Sequence, residues 1–178
     1  STSKDANFNY IPKGFDIPSD LDYLHITTNN TIFGTQYKVL PETTVPLISD
    51  SSSDIFSRSL DFSKFDLLYA GAQKNMGPAG ATLVVAKEDA LGKVSRQVPS
   101  MLDYKIHADK DSMFNTPPVF AVYTSLLTLE WLKTKGGIAA IEKENDAKAA
   151  LMYGEIDRNP LFDGFAATDD RSTMNATF

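Results

Sequence analysis

Apolar residues gather into short runs in the first half of the chain and recur at helical spacing in the second. Tyr23-Leu24-His25-Ile26-Thr27-Thr28 is a β-prone run closed by Asn29-Asn30, and Pro46-Leu47-Ile48-Ser49 is a second that ends on Asp50. Leu67-Leu68-Tyr69-Ala70 and Leu83-Val84-Val85-Ala86 form a third and a fourth, the last preceded by the loop Gly77-Pro78-Ala79-Gly80. Continuous apolar strands separated by crossovers predict a sheet covered on both faces, the α/β pattern. Ser1 to Asp22, with Pro12 and Pro18, reads as irregular chain.

The later part predicts two long helices. Thr116 fits an N-cap, Pro117 the first helical position, and Gly136-Gly137 the stop. Between them Val119, Phe120, Val122, Tyr123, Leu126, Leu127 and Trp131 make a broad apolar face expected to point inward. A second helix is expected from Ile138 to about Asp157, with Ile141, Met152 and Ile156 inward, ending before Pro160. The Lys/Glu mixture from Glu142 to Lys148 reads as its solvated face, and Trp131 and the methionines as core. Asn175-Ala176-Thr177-Phe178 reads as the first half of a strand, and with an opening residue other than Met it suggests a chain cut at both ends.

Composition narrows the chemistry. The 178 residues, 42% hydrophobic and 22% charged, suit one globular domain or slightly more. With no cysteine, a disulfide framework and an iron–sulfur cluster are excluded, and two histidines, His25 and His107, make no metal constellation and read as structural. A net charge of −6 argues against nucleic acid or an anionic membrane as the main partner. The best apolar stretch, Pro78 to Ala86, falls short of the roughly 20 residues that span a bilayer, and Ser1 to Asp5 lacks the features of a signal peptide.

Two strand ends carry the candidate chemistry. The second run delivers Asp50 at its carboxyl end, and the third leads through Gly71-Ala72-Gln73 to Lys74, 24 residues on from Asp50. In α/β sheets ligands bind at the carboxyl ends of parallel strands, and residues 51–66 are long enough for a parallel crossover. A desolvated lysine there loses its proton readily and forms an imine with an aldehyde, while a nearby carboxylate holds a protonated pyridine nitrogen. The plainer alternative is a surface lysine on a turn and an aspartate capping a helix through Ser51–Ser53.

Ala70-Gly71-Ala72-Gln73-Lys74-Asn75-Met76-Gly77-Pro78-Ala79-Gly80 resembles the signature around the cofactor lysine of the phosphoserine aminotransferases. Asp111 to Pro118, Lys4 to Pro12 and His25 to Gly34 resemble the same family in the same order. The resemblance implies a fold-type-I, class-V enzyme working as a homodimer with a shared active site, cytoplasmic and dependent on pyridoxal 5'-phosphate. Its substrates would be glutamate and 3-phosphohydroxypyruvate, giving 2-oxoglutarate and O-phospho-L-serine. By position, Lys74 is similar to the Schiff-base lysine and general acid/base, and Asp50 to the partner of the pyridine nitrogen. Thr31 matches the donor to the cofactor's phenolic oxygen, and Gln73 a contact to its phosphate. Asn115 and Thr116 match residues reaching the phosphate of the cofactor held mainly by the other subunit. Without the motif, Gln73 reads as a polar loop residue, Thr31 as a turn residue and Asn115-Thr116-Pro117 as a helix start.

The family's chains are about twice as long as this one, so the resemblance makes this sequence a fragment, expected to be inactive alone. Residues 1–158 would be part of the large cofactor-binding domain and 159–178 the link to, and start of, a small domain. A cysteine desulfurase, an alanine–glyoxylate-type aminotransferase and a non-catalytic binding remnant are the alternatives.

Overall fold

The computed structural model describes residues 2–178. Strands β1 (Leu24–Thr27), β4 (Leu47–Asp50), β5 (Leu67–Gly71) and β6 (Thr82–Ala86) form a sheet in the order β1-β4-β5-β6. The two-residue strands β2 (Asn29–Asn30) and β3 (Thr35–Gln36) pair beside it as an antiparallel hairpin. The helices are α1 (Ala72–Asn75), α2 (Tyr104–Asp109), α3 (Val119–Thr134) and α4 (Gly137–Arg158). β1, β4 and β5 run parallel, and their register aligns Thr27, Asp50 and Tyr69 in one row.

β6 departs from the run of crossovers expected from the sequence, because it pairs antiparallel with β5. Only residues 72–81 join the two strands, fewer than the dozen or more that a parallel return requires. The longer connection, residues 51–66, does make a parallel crossover. It consists of turns and a short 3-10 helix, Phe62–Lys64, capped by the Asp61 carboxylate accepting from the Ser63 N–H.

The sheet has two unlike faces. Alternation sends Ile26, Leu47, Leu68 and Ala70 to one side, where they pack with Ile55, Phe65, Ala72 and Met76. The opposite face carries His25, Thr27, Ile48, Asp50, Leu67, Tyr69 and Gly71, all half-buried or exposed. On the buried side a polar network joins the hairpin to the crossover. Asp54, fully buried, accepts from the Thr28 hydroxyl at 2.5 Å and from the Arg58 guanidinium at 3.1 Å. Such a pair holds its charge away from water only while both partners are present.

α3 differs most from its sequence reading. Its first residue is Val119, with Pro118 as N-cap and no side-chain cap, so Thr116 is not the N-cap. The reason is local: a residue before proline is disfavoured in the α region, and here Thr116 precedes Pro117 and Pro117 precedes Pro118. The apolar face also fails to turn inward. Phe120 is 75% exposed and Trp131 52%, with Val119, Val122, Tyr123, Leu126 and Leu127 also exposed. The residues that approach the rest of the chain are small, since Ala121 and Ser125 lie against Gly80 and Gly77. A helix apolar on all sides is built for enclosure, and the described residues cover only its narrow side.

α4 begins and ends close to expectation. It is pinned by buried Asn145, which donates to the Ser57 carbonyl, and by Ile156. Around Asn145 the Glu142–Lys148 stretch is largely solvated, as expected. Met152 is exposed rather than inward, and so are Met101 and Met113; of the methionines Met76 alone is buried. Residues 175–178 form no strand. Segment 171–177 contributes one bridge, Thr35 with Arg171, and several of its polar groups go to side-chain bonds with residues 29–36, which compete with a ladder.

Candidate functional site

The site forms where β4 and β5 end side by side. Ser51 N–H donates to the Tyr69 carbonyl, and Gly71 N–H donates to the Ser52 hydroxyl at 3.0 Å, so the strand ends are tied together. Ser52 N–H donates in turn to Asp50 Oδ1 at 2.9 Å, turning the chain and fixing the carboxylate. No helix follows Asp50, so its role as a helix cap does not arise; the turn it closes is a local side-chain-to-backbone turn.

β5 passes directly into α1, whose single turn carries Gln73 and Lys74. Asn75 anchors that turn through its side-chain N–H to the Ile55 carbonyl at 2.5 Å, and Met76 is buried beneath it. Lys74 therefore stands on a fixed base and reaches out. Its Nζ donates to Thr31 Oγ1 at 2.9 Å, joining α1 to the loop between β2 and β3. Both side chains are exposed, so the desolvation expected for Lys74 is not a property of this chain. The Gln73 amide folds back toward Gly71, where a Cβ would come within 2.6 Å of its Oε1. A side chain at 71 would turn that flexible amide aside.

Asp50 has neighbours that sequence reasoning left aside. Tyr69 is its register partner, and the Tyr69 hydroxyl lies 3.1 Å from His25 Nε2. Burial, followed by the charge of Asp50 and a hydrogen bond to it, raises the Tyr69 phenol above its ordinary pKa. Tyr69 thus stays neutral at pH 7 and can donate to the carboxylate. The signal in the sequence was the alternation that puts His25, Asp50 and Tyr69 on one face, and it becomes readable only once the strand register is known.

Asn115 and Thr116 are not brought to this cluster. Both are exposed, and the Asn115 amide donates to the Thr116 carbonyl at 3.2 Å. Asn115 lines a groove of about 950 Å³ over β6, together with Tyr104, His107, Pro117 and Tyr123. Thr31, Lys74, Gln73 and Asp50 do not line that groove. Among the described residues no cluster of three or more His, Cys, Asp or Glu could hold a metal ion, and no helix is long and apolar enough to cross a membrane.

Residues 14–178 match the family model described as aminotransferase class-V. The phosphoserine aminotransferase of Flavobacterium johnsoniae is 68% identical over 177 residues, covering 99% of this chain and 50% of that protein. The phosphoserine aminotransferase of Bacteroides fragilis is 53% identical over 178 residues, covering 100% of this chain and 50% of that protein. Among solved structures, a phosphoserine aminotransferase studied for radiation damage of its Schiff base aligns with a TM-score of 0.95 at 47% identity, covering 99% of this chain and 50% of that one. The phosphoserine aminotransferase of Bacillus circulans subsp. alkalophilus aligns with a TM-score of 0.95 at 42% identity, again over 99% of this chain and 50% of that one. The chain spans about half the length of the curated relatives it matches.

Proposed function

The chain belongs to the class-V aminotransferase family, and on that premise we propose that it supplies the lysine-bearing half of a phosphoserine transaminase. The reaction is amino transfer between glutamate and 3-phosphohydroxypyruvate, giving 2-oxoglutarate and O-phospho-L-serine, with pyridoxal 5'-phosphate as cofactor. The observation that carries the reading is Lys74 Nζ held 2.9 Å from the Thr31 hydroxyl, where β5 ends beside the Asp50-bearing end of β4. That donor set fits the cofactor: an amine for an aldehyde, a carboxylate for a pyridinium nitrogen, and hydroxyl and amide donors for a phenolic oxygen and a phosphate. When bound, pyridoxal phosphate supplies an electron-withdrawing ring that stabilises negative charge at the substrate's α-carbon.

The chain's own residues divide the remaining work. Lys74 Nζ would hold the cofactor's aldehyde carbon in the resting protein and, as a free amine, would carry a proton between the substrate's α-carbon and the neighbouring carbon. Asp50 would keep the ring nitrogen protonated, and the Ser52 N–H holds its carboxylate in place. Thr31 would donate to the phenolic oxygen and Gln73 to the phosphate. Asn115 and Thr116 would act across a homodimer on the cofactor of a second copy, a reading supported by the exposure of both side chains and by Asn115 lining a groove that Lys74, Thr31 and Asp50 do not share. Residues 1–158 belong to the cofactor domain and 159–178 to the link toward a second domain. We assign the reaction to the cytoplasm.

The test uses a polypeptide of the relatives' length that carries this sequence. After pyridoxal phosphate is added and the protein is reduced with borohydride, peptide mapping is expected to find the pyridoxyl label on Lys74. Lys74→Ala is expected to lose the label and to lower kcat at least about a hundredfold, the scale of a lost general acid/base. Label scattered over other lysines refutes the assignment of Lys74. A protein that ignores 3-phosphohydroxypyruvate and instead releases sulfur from cysteine refutes the substrate.

A further inference from the structure

Thr31 is presented by a tight turn, and half of what holds that turn comes from 140 residues downstream. From within, Asn30 Oδ1 accepts from Ile32 N–H at 3.0 Å and Phe33 N–H at 3.1 Å, and Gly34 N–H donates to the Asn30 carbonyl. From outside, Ser172 N–H donates to the Gly34 carbonyl at 2.8 Å, and the Thr177 hydroxyl donates to the Phe33 carbonyl at 3.2 Å. The carbonyl of Thr31 itself accepts from Asn175 Nδ2 at 3.2 Å.

The orientation of that amide follows from its neighbours. Ser53 gives its one hydroxyl proton to the Asn29 carbonyl at 2.7 Å, so its oxygen must accept from Asn29 Nδ2, 2.9 Å away. Asn29 Nδ2 then also faces Asn175 Oδ1 at 3.0 Å, which makes that atom the acceptor and turns Asn175 Nδ2 toward Thr31. Ser172 Oγ, 3.1 Å from Asn175 Oδ1, accepts from the Asn175 N–H, and the Tyr153 hydroxyl reaches the Asn175 carbonyl. Every polar group of Asn175 has a partner, and four of its five contacts serve to aim the fifth. Fixing the Thr31 carbonyl fixes the plane of the following peptide, and so the direction from which the Thr31 side chain meets Lys74.

We propose that Asn175 is a positioning residue for Thr31, acting through the Thr31 carbonyl to aim its hydroxyl. The proposal rests on the reading of Thr31 as a donor to the cofactor's phenolic oxygen. Asn175→Asp keeps the size of the side chain and its acceptors for Asn29 and Ser172, but sets an oxygen against the Thr31 carbonyl.

The experiment measures two quantities in a polypeptide of the relatives' length. One is the dissociation constant of pyridoxal phosphate from the apoprotein; the other is the pH midpoint of the bound cofactor's absorption change. Asn175→Asp is expected to weaken binding about three- to tenfold, the scale of one net hydrogen bond. It should also move the midpoint to higher pH, because a phenolic oxygen with one donor fewer holds its shared proton more tightly. Thr31→Ala should do the same, and Asn175→Asp should add nothing in the Thr31→Ala background. If Asn175→Asp behaves as the parent protein, or adds its full effect on top of Thr31→Ala, the proposal is overturned while the role of Thr31 stands. If Thr31→Ala itself changes neither quantity, the reading of Thr31 fails first and takes the proposal with it. Asn175→Ala serves as a second variant if the aspartate variant does not fold. If neither folds, Asn175 is a structural residue and the positioning role is refuted.

Discussion

Replacing Gly34 with alanine separates two costs that the Thr31 turn keeps together. Gly34 is buried at φ +67°, a left-handed conformation that costs an L-residue about 1–2 kcal/mol. A Cβ there would also run into the Thr177 side chain, with Thr177 Cγ2 at 3.0 Å and Cβ at 3.2 Å. Because the Thr177 Cβ is fixed to the backbone, the clash is not relieved by a rotamer change alone, and overpacking of this kind costs about 1–3 kcal/mol. Gly34→Ala is therefore expected to destabilise by about 2–5 kcal/mol. Thr177→Ala alone loses the bond to the Phe33 carbonyl, about 1 kcal/mol. In the double variant the Oγ1 and Cγ2 part of the clash disappears, while the Cβ contact at 3.2 Å and the dihedral cost stay, so the pair should be more stable than the sum of the two by part of that overpacking cost of about 1–3 kcal/mol. Urea unfolding of a polypeptide of the relatives' length, at unchanged m, reads all three values. A Gly34→Ala variant within about 0.5 kcal/mol of the parent would refute the left-handed turn. Strict additivity with Thr177→Ala would refute the contact.

Two further predictions concern charge. Arg58→Met leaves the fully buried Asp54 without its cation and is expected to cost about 3–5 kcal/mol by urea midpoint, with Asp54→Asn in the same background recovering part of the loss; no recovery would mean that the carboxylate is not what makes the loss large. For Asp66, burial alone would raise the pKa, but the Leu47 N–H at 2.8 Å and the Lys87 ammonium at 3.1 Å outweigh it and hold the carboxyl below its ordinary value. A depressed folded-state pKa gives stability that is complete above the unfolded value of about 3.9 and disappears as pH falls through the folded one. Asp66→Asn should accordingly flatten the stability profile on the acid side of pH 4, and a parallel, unflattened profile would count against the assignment.

The parts of the fold that were legible in the sequence were those decided within one run of residues. Leu47-Ile48-Ser49 and Leu67-Leu68-Tyr69-Ala70 are apolar enough to be strands wherever they lie, and the 16 residues between Asp50 and Leu67 permit a parallel return. The direction of β6 depends on the short span of residues 72–81 rather than on its own apolar pattern, and α3 starts late because two consecutive prolines act on the residues before them. Lys74 was singled out by its place after a strand and Thr31 by the motif, and the structure joins them by a hydrogen bond. Tyr69 and Asn175 were missed for one reason: their partners, His25 and Thr31, lie 44 and 144 residues away, and a polar side chain carries no local mark of a distant partner.

That last separation also sets the order in which the molecule can be finished. The core of the sheet, β1 with β4 and β5, is complete in the chain by Gly71, and its parallel pairs close over short stretches of sequence. The turn that presents Thr31 belongs to the same early segment, yet its outer supports arrive only with Ser172 to Thr177. At about 5–20 residues per second, the 144 residues from Thr31 to Asn175 take roughly 7–30 s to synthesise. Through that interval a nascent chain carries the strand residues, Asp50 and Lys74, but no clasp for the Thr31 carbonyl. The support for Thr31 is thereby timed by translation: it is assembled by the end of this chain, long after the sheet that bears its lysine.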